Sequence, residues 1–343
     1  MNHSTQPHKI TRRHVFPCID GHTCGNPVRL VTDGHPHLLG ATMSERRQDF
    51  ITRFDWVRTA LMFEPKGHDL MSGAFLYPAT RGDCDTGIIF IEVSGCLPVC
   101  GHSTIGAVTF GLEEGLIHPK TEGVVMLDTP AGLVEARYTR DGKKVTGVRI
   151  YNVPSYLAEV GVEIDCPGLG KLMVDIAYGG NFYGIIDPQK NYAGLEALGA
   201  GDIQRFSPII RDLLNAVVQV VHPEDATIKG VSHIQWTGKP RNKRASGRNA
   251  VFYGDAAIDR SPCGTGTSAR MAQLTAKGHL KAGDDYIHES LIGSIFEGRV
   301  EGETNVGDYK AIRPSVSGWA RVTGQNTIFV DPDDPFWRGF QVL

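Results

Sequence analysis

Two stretches of the chain repeat one pattern of cysteine and glycine, and this repeat limits the folds open to the sequence. Residues 100–115 read CGHSTIGAVTFGLEEG and residues 263–278 read CGTGTSARMAQLTAKG, so each begins with Cys-Gly and ends on a glycine fifteen residues after the cysteine. Upstream of each stretch, a Gly-Asn pair follows an aspartate by five residues, at Asp20 and at Asp175. The shared order predicts an internal duplication, with two similar halves that each carry one Cys-Gly unit.

The predicted elements suit a strand-rich α+β fold. Short runs rich in β-branched residues and bounded by turn residues predict strands at 87–93, 124–130, 133–138, 145–153, 172–186 and 249–255. Helical patterns are fewer, and they predict helices over 44–62, 103–114, 208–219 and 267–277. Each Cys-Gly unit therefore lies at the N-terminus of a predicted helix, and the glycine that ends each unit suits the position after the helix C-terminus.

Composition and charge exclude several functional classes. The formal net charge is −3, which gives no electrostatic basis for binding nucleic acid or an anionic membrane. The chain has no apolar run of about 18 residues, and its first residues, MNHSTQPHKITRRH, lack the apolar stretch of a secretory signal. The seven cysteines are odd in number and irregularly spaced, which does not suit a disulfide framework. We therefore expect a cytoplasmic protein with reduced thiols.

A thiol at the N-terminus of a helix is in a position to bind an anion or to react. The first amides of a helix have no acceptor within the helix, and the helix dipole adds partial positive charge there. Both features stabilise a carboxylate or a thiolate, and they are expected to lower the pKa of a cysteine. The glycine after each cysteine has no Cβ, so a substrate oxyanion can reach the amides. Each unit is thus a candidate nucleophile, base or anion site.

Two such units in matching halves favour a symmetric reaction across a cleft. Inverting a carbon next to a carboxylate requires a base on one face of that carbon and an acid on the other. Two thiols serve both directions, because each is the base for one enantiomer and the acid for the other. The unperturbed pKa of cysteine, roughly 8.5, is near enough to neutral pH for one thiolate and one thiol to be the active pair. This chemistry requires no metal and no pyridoxal cofactor.

Other interpretations of the cysteines remain open at this point. Cys96, Cys100 and Cys263 could contribute to a zinc site, although the two-residue spacing of structural zinc motifs is absent. A cysteine hydrolase would pair one nucleophile with a histidine, for which His102 is available, but it leaves the second Cys-Gly unit without a role. Lone cysteines are most often small buried hydrophobic residues, and we interpret three of them in that way: Cys18, Cys84 and Cys166.

The two Cys-Gly motifs, in GCLPVCGHSTIG and DRSPCGTGTSARMA, resemble the active-site motifs of the proline racemase family. The resemblance runs over nearly the whole chain, and CIDGHTCGNPVRLV, DTPAGLVEARY, YGGNFYGIIDPQ, SHIQWTGKP and IHESLIGSIFEGRV are similar to the branch of 4-hydroxyproline 2-epimerases. It implies a diaminopimelate epimerase-like α+β fold with two pseudo-symmetric, strand-rich, barrel-like halves, each around a central helix. It also implies a hydroxyproline-like pyrrolidine 2-carboxylate as substrate, no cofactor, no metal and a homodimer.

The resemblance also assigns site residues. Cys100 and Cys263 match the family's two catalytic cysteines, and which of them acts as the base depends on the enantiomer that is bound. Six further residues match substrate-binding positions: Gly101, His102, His233, Asp259, Gly264 and Thr265. Asp259 would accept hydrogen bonds from the ring ammonium, and His233 would lie near the same nitrogen. Three residues in glycine-rich motifs are further candidates for lining the cleft: His22, His68 and Asp69.

Two positions bear on the reaction within this family. Ser103 stands where many relatives carry glycine, and its hydroxyl could touch the ligand, which would affect fine specificity rather than the reaction. Cys263 stands where relatives that dehydrate trans-3-hydroxy-L-proline carry threonine. A second thiol therefore favours epimerisation, because elimination of water needs only one base.

The expected arrangement places the active site in a cleft between two halves. The first half spans 1–150, with 325–343 returning to it, and the second half spans 151–324. The expected reaction is the reversible conversion of trans-4-hydroxy-L-proline to cis-4-hydroxy-D-proline. Fold and family alone do not fix a substrate, so three alternatives remain: a proline racemase, a trans-3-hydroxy-L-proline dehydratase and an inactive protein that binds a proline-like ligand. The sequence does not identify a residue that contacts the 4-hydroxyl.

Overall fold

Eighteen strands and four α-helices make up the part of the chain that the computed structural model describes, residues 10–342. The first ten elements are β1 (His14–Thr23), β2 (Asn26–Val31), α1 (Met43–Met62), β3 (Ser72–Tyr77), β4 (Thr86–Glu92), β5 (Gly95–Leu97), α2 (Gly101–Glu113), β6 (Val124–Thr129), β7 (Gly132–Asp141) and β8 (Lys144–Tyr151). The next eleven are β9 (Ser155–Cys166), β10 (Gly170–Tyr178), β11 (Phe182–Ile186), α3 (Ala200–Val217), β12 (Val231–Gly238), β13 (Gly247–Tyr253), β14 (Ala257–Ile258), α4 (Gly264–Ala276), β15 (Asp285–Glu289), β16 (Ile295–Val306) and β17 (Tyr309–Gly318). The last strand is β18 (Ala320–Val330).

Eight strands in the second part of the chain form a closed ring around α4. Hydrogen-bonded pairs run in the order β9-β10-β11-β12-β13-β15-β16-β17, and β17 pairs in turn with β9. The pairs β11–β12 and β13–β15 are parallel, and each is joined through an α-helix, as parallel neighbours require a crossover connection. The helix α4 packs against strands from several sides of the ring, among them β9, β10, β16 and β17.

Seven strands of the first part of the chain, together with the last strand β18, repeat this order around α2. The pairs run β18-β1-β2-β3-β4-β6-β7-β8, and β8 continues by pairing with β17 of the ring. The parallel pairs stand at the same two places, β2–β3 joined through α1 and β4–β6 joined through α2. The predicted α+β fold, with two pseudo-symmetric barrel-like halves around central helices, is therefore confirmed strand by strand.

The helix α2 is buried, and most of its residues are small or apolar. Every position from Gly101 to Gly111 is buried, and the helix packs against β1, β2, β8 and β18. A Cβ at Gly106 would lie only 2.9 Å from Val28 Cγ1, so the missing side chain lets the helix approach β2 closely. A helix that is apolar all round is typical of one enclosed by other elements.

The helix α3 differs from its prediction. It begins at Ala200, eight residues before the predicted start at Pro208, which lies inside the helix. The apolar face of α3 continues across the proline with helical spacing, and it consists of Ile203, Phe206, Ile210 and Leu214. Burial of this face outweighs the loss of the one amide donor that proline lacks.

Among the described residues, no helix is both long and apolar enough to cross a membrane.

The strand β18 connects the end of the described chain to its beginning. It runs antiparallel to β1, with Val330 opposite His14 and Ala320 opposite Thr23. We propose that the halves divide after residue 150 and that the segment from residue 325 belongs to the first half. Of that proposed half, residues 1–9 and 343 lie outside the described residues.

Candidate active site

The N-termini of the two central helices touch each other through glycine. A Cβ at Gly101, the first residue of α2, would lie 2.6 Å from the Gly264 Cα and 3.1 Å from the Thr265 nitrogen. A Cβ at Gly264, the first residue of α4, would lie 2.8 Å from the Gly101 Cα. Only glycine allows backbones this close, so these two residues bring together the cysteines that cap the helices, Cys100 and Cys263.

The two cysteine caps differ in backbone conformation. Cys100 is extended, with φ −135°, whereas Cys263 has φ +65°, in the left-handed region that residues with a Cβ rarely adopt. Strained backbone of this kind costs roughly 1–3 kcal/mol and tends to occur at functional sites. In this conformation the Cys263 Sγ accepts from the Gly266 amide at 3.4 Å and lies 3.4 Å from the Tyr183 hydroxyl.

A small cavity lies at this junction, and its free volume is about 10 Å³. Both cysteines line it, and each is only 5% exposed. The other lining residues are Glu92, Leu97, His102, Tyr183, His233, Tyr253, Asp259 and Thr265. The structure therefore brings six of the eight predicted site residues to one cavity, and the other two are the glycines at the helix contact.

Three residues that we expected to line the cleft are not among those around this cavity: His22, His68 and Asp69. The His22 Nδ1 instead accepts from the Gly25 amide at 3.1 Å, and the His68 Nδ1 accepts from the Leu70 amide at 3.2 Å. Both histidines therefore stabilise local turns in the structure.

A hydrogen-bond network sets the proton position on His102. The Asn26 Oδ1 accepts from the Arg260 amide at 3.0 Å, so the Asn26 side-chain nitrogen is the atom that faces His102 Nε2, at 3.0 Å. That nitrogen donates, which assigns Nε2 as the acceptor and Nδ1 as the protonated nitrogen. The Nδ1 lies 3.5 Å from the Cys100 Sγ and 3.8 Å from Asp259 Oδ2. Burial lowers the pKa of His102, so a neutral ring is favoured.

This tautomer argues against a cysteine hydrolase. A general base must offer a nitrogen lone pair to the thiol, but His102 presents its N–H to Cys100 and its lone pair to Asn26. The Cys100 thiol donates instead to the Ser103 hydroxyl, at 3.2 Å. Ser103 thus contacts the sulfur directly.

Asp259 is buried but its carboxylate is only partly engaged. Its Oδ1 accepts from the amide and the hydroxyl of Ser261, both at 2.8 Å. Its Oδ2 is on the side of His102. Burial raises the pKa of Asp259, and the neighbouring His102 opposes that rise. The carboxyl is therefore arranged to receive a cationic group at the cavity.

His233 lines the same cavity, between two tyrosines. Its ring stacks between Tyr183 and Tyr253, with ring centroids 4.7 Å and 6.2 Å away. Its Nδ1 lies 2.7 Å from the Ser232 hydroxyl. Burial lowers the pKa of His233 to about 3, so the ring is uncharged in this site.

Burial reverses the expected effect of the helices on the thiols. We expected helix amides to lower the cysteine pKa values, but burial raises the pKa of both Cys100 and Cys263 above the ordinary value. The neighbouring acids add to the rise, Glu92 beside Cys100 and Asp259 beside Cys263, while the Gly266 amide opposes it. Desolvation therefore outweighs the helix dipoles, and the thiol form of both cysteines is favoured.

The sequence interpretation missed Glu92, Leu97, Tyr183 and Tyr253 of this cavity. Glu92 had a visible signal, because it is the one acidic residue in an otherwise apolar predicted strand, GIIFIEV, and it lies eight residues before Cys100. Its side chain is buried, and its Oε2 accepts from the Ser94 hydroxyl at 2.6 Å. Burial raises the pKa of Glu92 to about 7, and the Ser94 hydroxyl opposes that rise.

We expect Glu92→Gln to stabilise the folded protein at alkaline pH only. The pKa of Glu92 is about 7 in the folded protein, above the ordinary value of 4.5. The favourable contribution of the protonated carboxyl to the free energy of unfolding is therefore complete below pH 4.5 and is lost as the pH rises through about 7. Above that window the folded state carries a buried carboxylate at a cost on the order of 3 kcal/mol. Urea unfolding at pH 4.5 and pH 8 measures the gain of the variant over wild type.

The control is Glu159→Gln, a glutamate that is exposed on β9. It should change the free energy of unfolding equally at both pH values. A gain for Glu92→Gln that is also the same at pH 4.5 and pH 8 would contradict the assignment of a buried carboxyl with a raised pKa.

The donor set does not resemble a metal centre. Among residues 10–342, no group of three or more His, Cys, Asp and Glu side chains is placed to hold a metal ion. The zinc alternative is not supported by position, because Cys96 packs in a hydrophobic cluster with α1 and does not line the cavity with Cys100 and Cys263.

Comparison with known sequences identifies close relatives. A family model described as proline racemase matches residues 18–341. The 4-hydroxyproline 2-epimerase of Ancylobacter novellus is 59% identical over 331 residues, which cover 96% of this chain and 99% of that protein. The 4-hydroxyproline 2-epimerase of Shewanella loihica is 58% identical over 329 residues, which cover 96% of this chain and 99% of that protein.

Comparison with solved structures agrees with this fold. A hydroxyproline epimerase from Agrobacterium vitis, with bound trans-4-hydroxy-L-proline, has a TM-score of 0.89 at 29% identity, over 97% of this chain and 96% of that chain. A methylitaconate-delta-isomerase has a TM-score of 0.54 at 13% identity, over 94% of this chain and 97% of that chain, and shares the fold alone.

Proposed function

The chain belongs to the proline racemase family, and from that premise we propose that it is a 4-hydroxyproline 2-epimerase, an isomerase. It interconverts trans-4-hydroxy-L-proline and cis-4-hydroxy-D-proline by inverting C2. The observation that carries the proposal is the pair of cysteines at two helix N-termini that meet at one cavity. The site residues below are assigned on the family match and on this geometry.

The substrate carboxylate binds where the two helices meet. The amides of the first turns belong to Gly101 and His102 on one side and to Gly264 and Thr265 on the other. Helix N-termini supply donors without internal partners and partial positive charge. The same donors stabilise the additional negative charge that develops on the carboxylate as C2 loses its proton.

The ring nitrogen binds on the Asp259 side of the cavity. The Oδ2 of this carboxylate accepts from the ring ammonium, while Ser261 holds Oδ1. His102 and His233 line the same cavity and stay neutral, so they position the ring without repelling the ammonium. Carboxylate and ammonium together hold C2 between the two sulfurs.

Inversion then needs one proton to leave and one to arrive. The thiolate of one cysteine takes the C2 proton, and the electron pair of the C–H bond moves into the carboxylate to give an enediolate. The thiol of the other cysteine delivers its proton to the opposite face of C2. Cys100 and Cys263 have then exchanged protonation states, and the reverse reaction uses them in the opposite roles. The steps balance with no further reactant.

The thiol and thiolate pair forms as the substrate binds, when one thiol releases its proton to the solvent before the cavity closes. Burial favours the protonated form of both thiols. The ring ammonium adds a positive charge beside Asp259, which removes the repulsion that this carboxylate exerts on a Cys263 thiolate. Because the thiols are only 5% exposed, the cavity must open to admit substrate and close again for the reaction.

Two features of the proposed function concern the whole protein. We propose that the enzyme is a homodimer and that it works in the cytoplasm. Light scattering on the purified protein measures the first, and cell fractionation measures the second.

Chiral chromatography with three substrates tests the function. We expect rapid conversion of trans-4-hydroxy-L-proline to cis-4-hydroxy-D-proline, with much slower inversion of L-proline and no dehydration of trans-3-hydroxy-L-proline. Faster turnover of L-proline would identify a proline racemase, and loss of water from the 3-hydroxy isomer would identify a dehydratase. Binding with no turnover of any of them would identify an inactive binding protein.

A further inference from the structure

We propose that Glu92 recognises the 4-hydroxyl of the substrate and sets the preference for hydroxyproline over proline. The inference rests on the proposed function and adds the specificity residue that the sequence did not identify. Glu92 ends β4, lines the cavity with Cys100 and Tyr253, and is 2% exposed. It is thus a buried acidic group in the wall of the substrate site.

The Glu92 carboxyl is only partly satisfied by the protein. Its Oε2 accepts from the Ser94 hydroxyl at 2.6 Å, and the Cys100 thiol is a second hydrogen-bonding neighbour of the carboxyl. The nearby Arg58 directs its guanidinium elsewhere, since it forms two hydrogen bonds with the Asp55 carboxylate and donates to the backbone oxygen of Glu92 at 3.0 Å. The side chain therefore has hydrogen-bonding capacity left for a ligand at the cavity.

The proposed substrate position places C4 at the side of the cavity away from the helix contact. The carboxylate occupies the helix N-termini and the nitrogen faces Asp259, so C3, C4 and C5 extend toward the remaining lining. That lining contains the hydroxyls of Tyr183 and Tyr253, which already bond to Thr265 and to the backbone oxygen of Leu70. His233 is held by Ser232 through Nδ1. Glu92 is the acidic group left to meet a hydroxyl there.

The chemistry of this pairing explains discrimination. A carboxylate oxygen accepts a hydrogen bond from the 4-hydroxyl group. This bond replaces a hydrogen bond to water that the carboxylate loses on burial. Proline presents a methylene at the same place, which leaves the buried carboxyl without that partner. A site built to hydrogen-bond a substrate hydroxyl rejects the analogue that lacks it by far more than an apolar pocket can.

Two variants measure this role. Glu92→Leu replaces the carboxyl acceptor with an apolar side chain of similar length. Glu92→Gln keeps one oxygen acceptor. We expect the ratio of kcat/KM for trans-4-hydroxy-L-proline to kcat/KM for L-proline to fall about 100-fold in Glu92→Leu, with an intermediate fall in Glu92→Gln. The loss on hydroxyproline should exceed any loss on proline.

A matched control separates recognition from folding. Glu289 is a buried glutamate outside the cavity, whose Oε2 accepts from the Arg241 and Asn242 amides. Glu289→Gln should leave the substrate ratio at the wild-type value. Pyrrole-2-carboxylate has no 4-hydroxyl, so its binding to the Glu92 variants, measured by calorimetry, should stay within a few-fold of wild type and report an intact site.

The outcomes distinguish this inference from the proposed function. An equal loss of kcat/KM on both substrates would overturn the inference. It would show that Glu92 acts on Cys100, beside which it lies, and not on the 4-hydroxyl. An unchanged ratio in Glu92→Leu would overturn it as well. A wild-type enzyme that does not invert hydroxyproline at all would instead contradict the proposed function, before any variant is compared.

Discussion

Replacing either Cys100 or Cys263 by serine is expected to lower the rate of C2 inversion by about a thousandfold or more. A serine hydroxyl in a buried site neither ionises near neutral pH nor readily donates its proton to carbon, so one face of C2 loses its acid or base. Positioned acid–base groups typically contribute about 10²–10⁴ to a rate, and inversion requires two of them. Chiral chromatography of 4-hydroxyproline isomers measures the loss.

Ligand binding should survive these substitutions. The helix amides and Asp259 are untouched, so pyrrole-2-carboxylate should still bind to both serine variants. Cys84→Ser is the control, because this free cysteine is buried outside the cavity and donates to Asp83. It should retain wild-type turnover. Near wild-type inversion by Cys100→Ser or Cys263→Ser would contradict the two-thiol assignment.

Alanine at either contact glycine is expected to be nearly as damaging. A Cβ at Gly101 would lie 2.6 Å from the Gly264 Cα, and backbone cannot yield as a flexible side chain does. The helix N-termini would have to separate, which moves both sulfurs relative to C2. Misplacement by about 1 Å can cost about 100-fold in rate, and overpacking of this kind typically costs about 1–3 kcal/mol of stability. We expect both effects in Gly101→Ala and in Gly264→Ala.

Gly201→Ala is the matched control for this prediction. Gly201 also lies in the first turn of a helix, α3, but a Cβ there meets nothing within 4 Å. Its activity should equal that of wild type, and its melting temperature should be equal or slightly higher, since alanine favours helix. Full turnover in Gly101→Ala would show that the helix contact does not set the positions of the sulfurs.

Much of the fold could be predicted because the duplication repeats local signals. The prediction of two similar halves around central helices is confirmed, and so is the family resemblance. Helix starts were placed late, at Ser103 and Thr267, whereas the helices begin at Gly101 and Gly264. Glycine has poor helix propensity, so a first turn rich in glycine is not recognised from sequence.

The parts of the site that sequence missed depend on contacts between distant strands. Tyr183 lies opposite His233 in the β11–β12 register, and nothing local to either residue predicts that pairing. Asn26 reaches His102 across the fold in the same way. The left-handed backbone of Cys263 has no sequence signal, because a non-glycine residue rarely adopts it.

The sign of the thiol pKa shift also required the structure. The helix N-terminus was visible in the sequence and favours a thiolate. The degree of burial was not visible, and it raises the pKa of Cys100 and Cys263 despite the helix amides. The roles of the two thiols and of the six substrate-binding residues remain predictions that the variants above test.

Deuterium labelling at early times is the most direct test of two thiols on opposite faces of C2. The enzyme is incubated with trans-4-hydroxy-L-proline in D₂O, the isomers are separated, and their masses are measured before equilibrium. We predict one deuterium at C2 in nearly all the cis-4-hydroxy-D-proline formed, with the remaining trans isomer unlabelled. Deuterium entering the unconverted substrate as fast as product appears, or product that retains its original hydrogen, would contradict this mechanism.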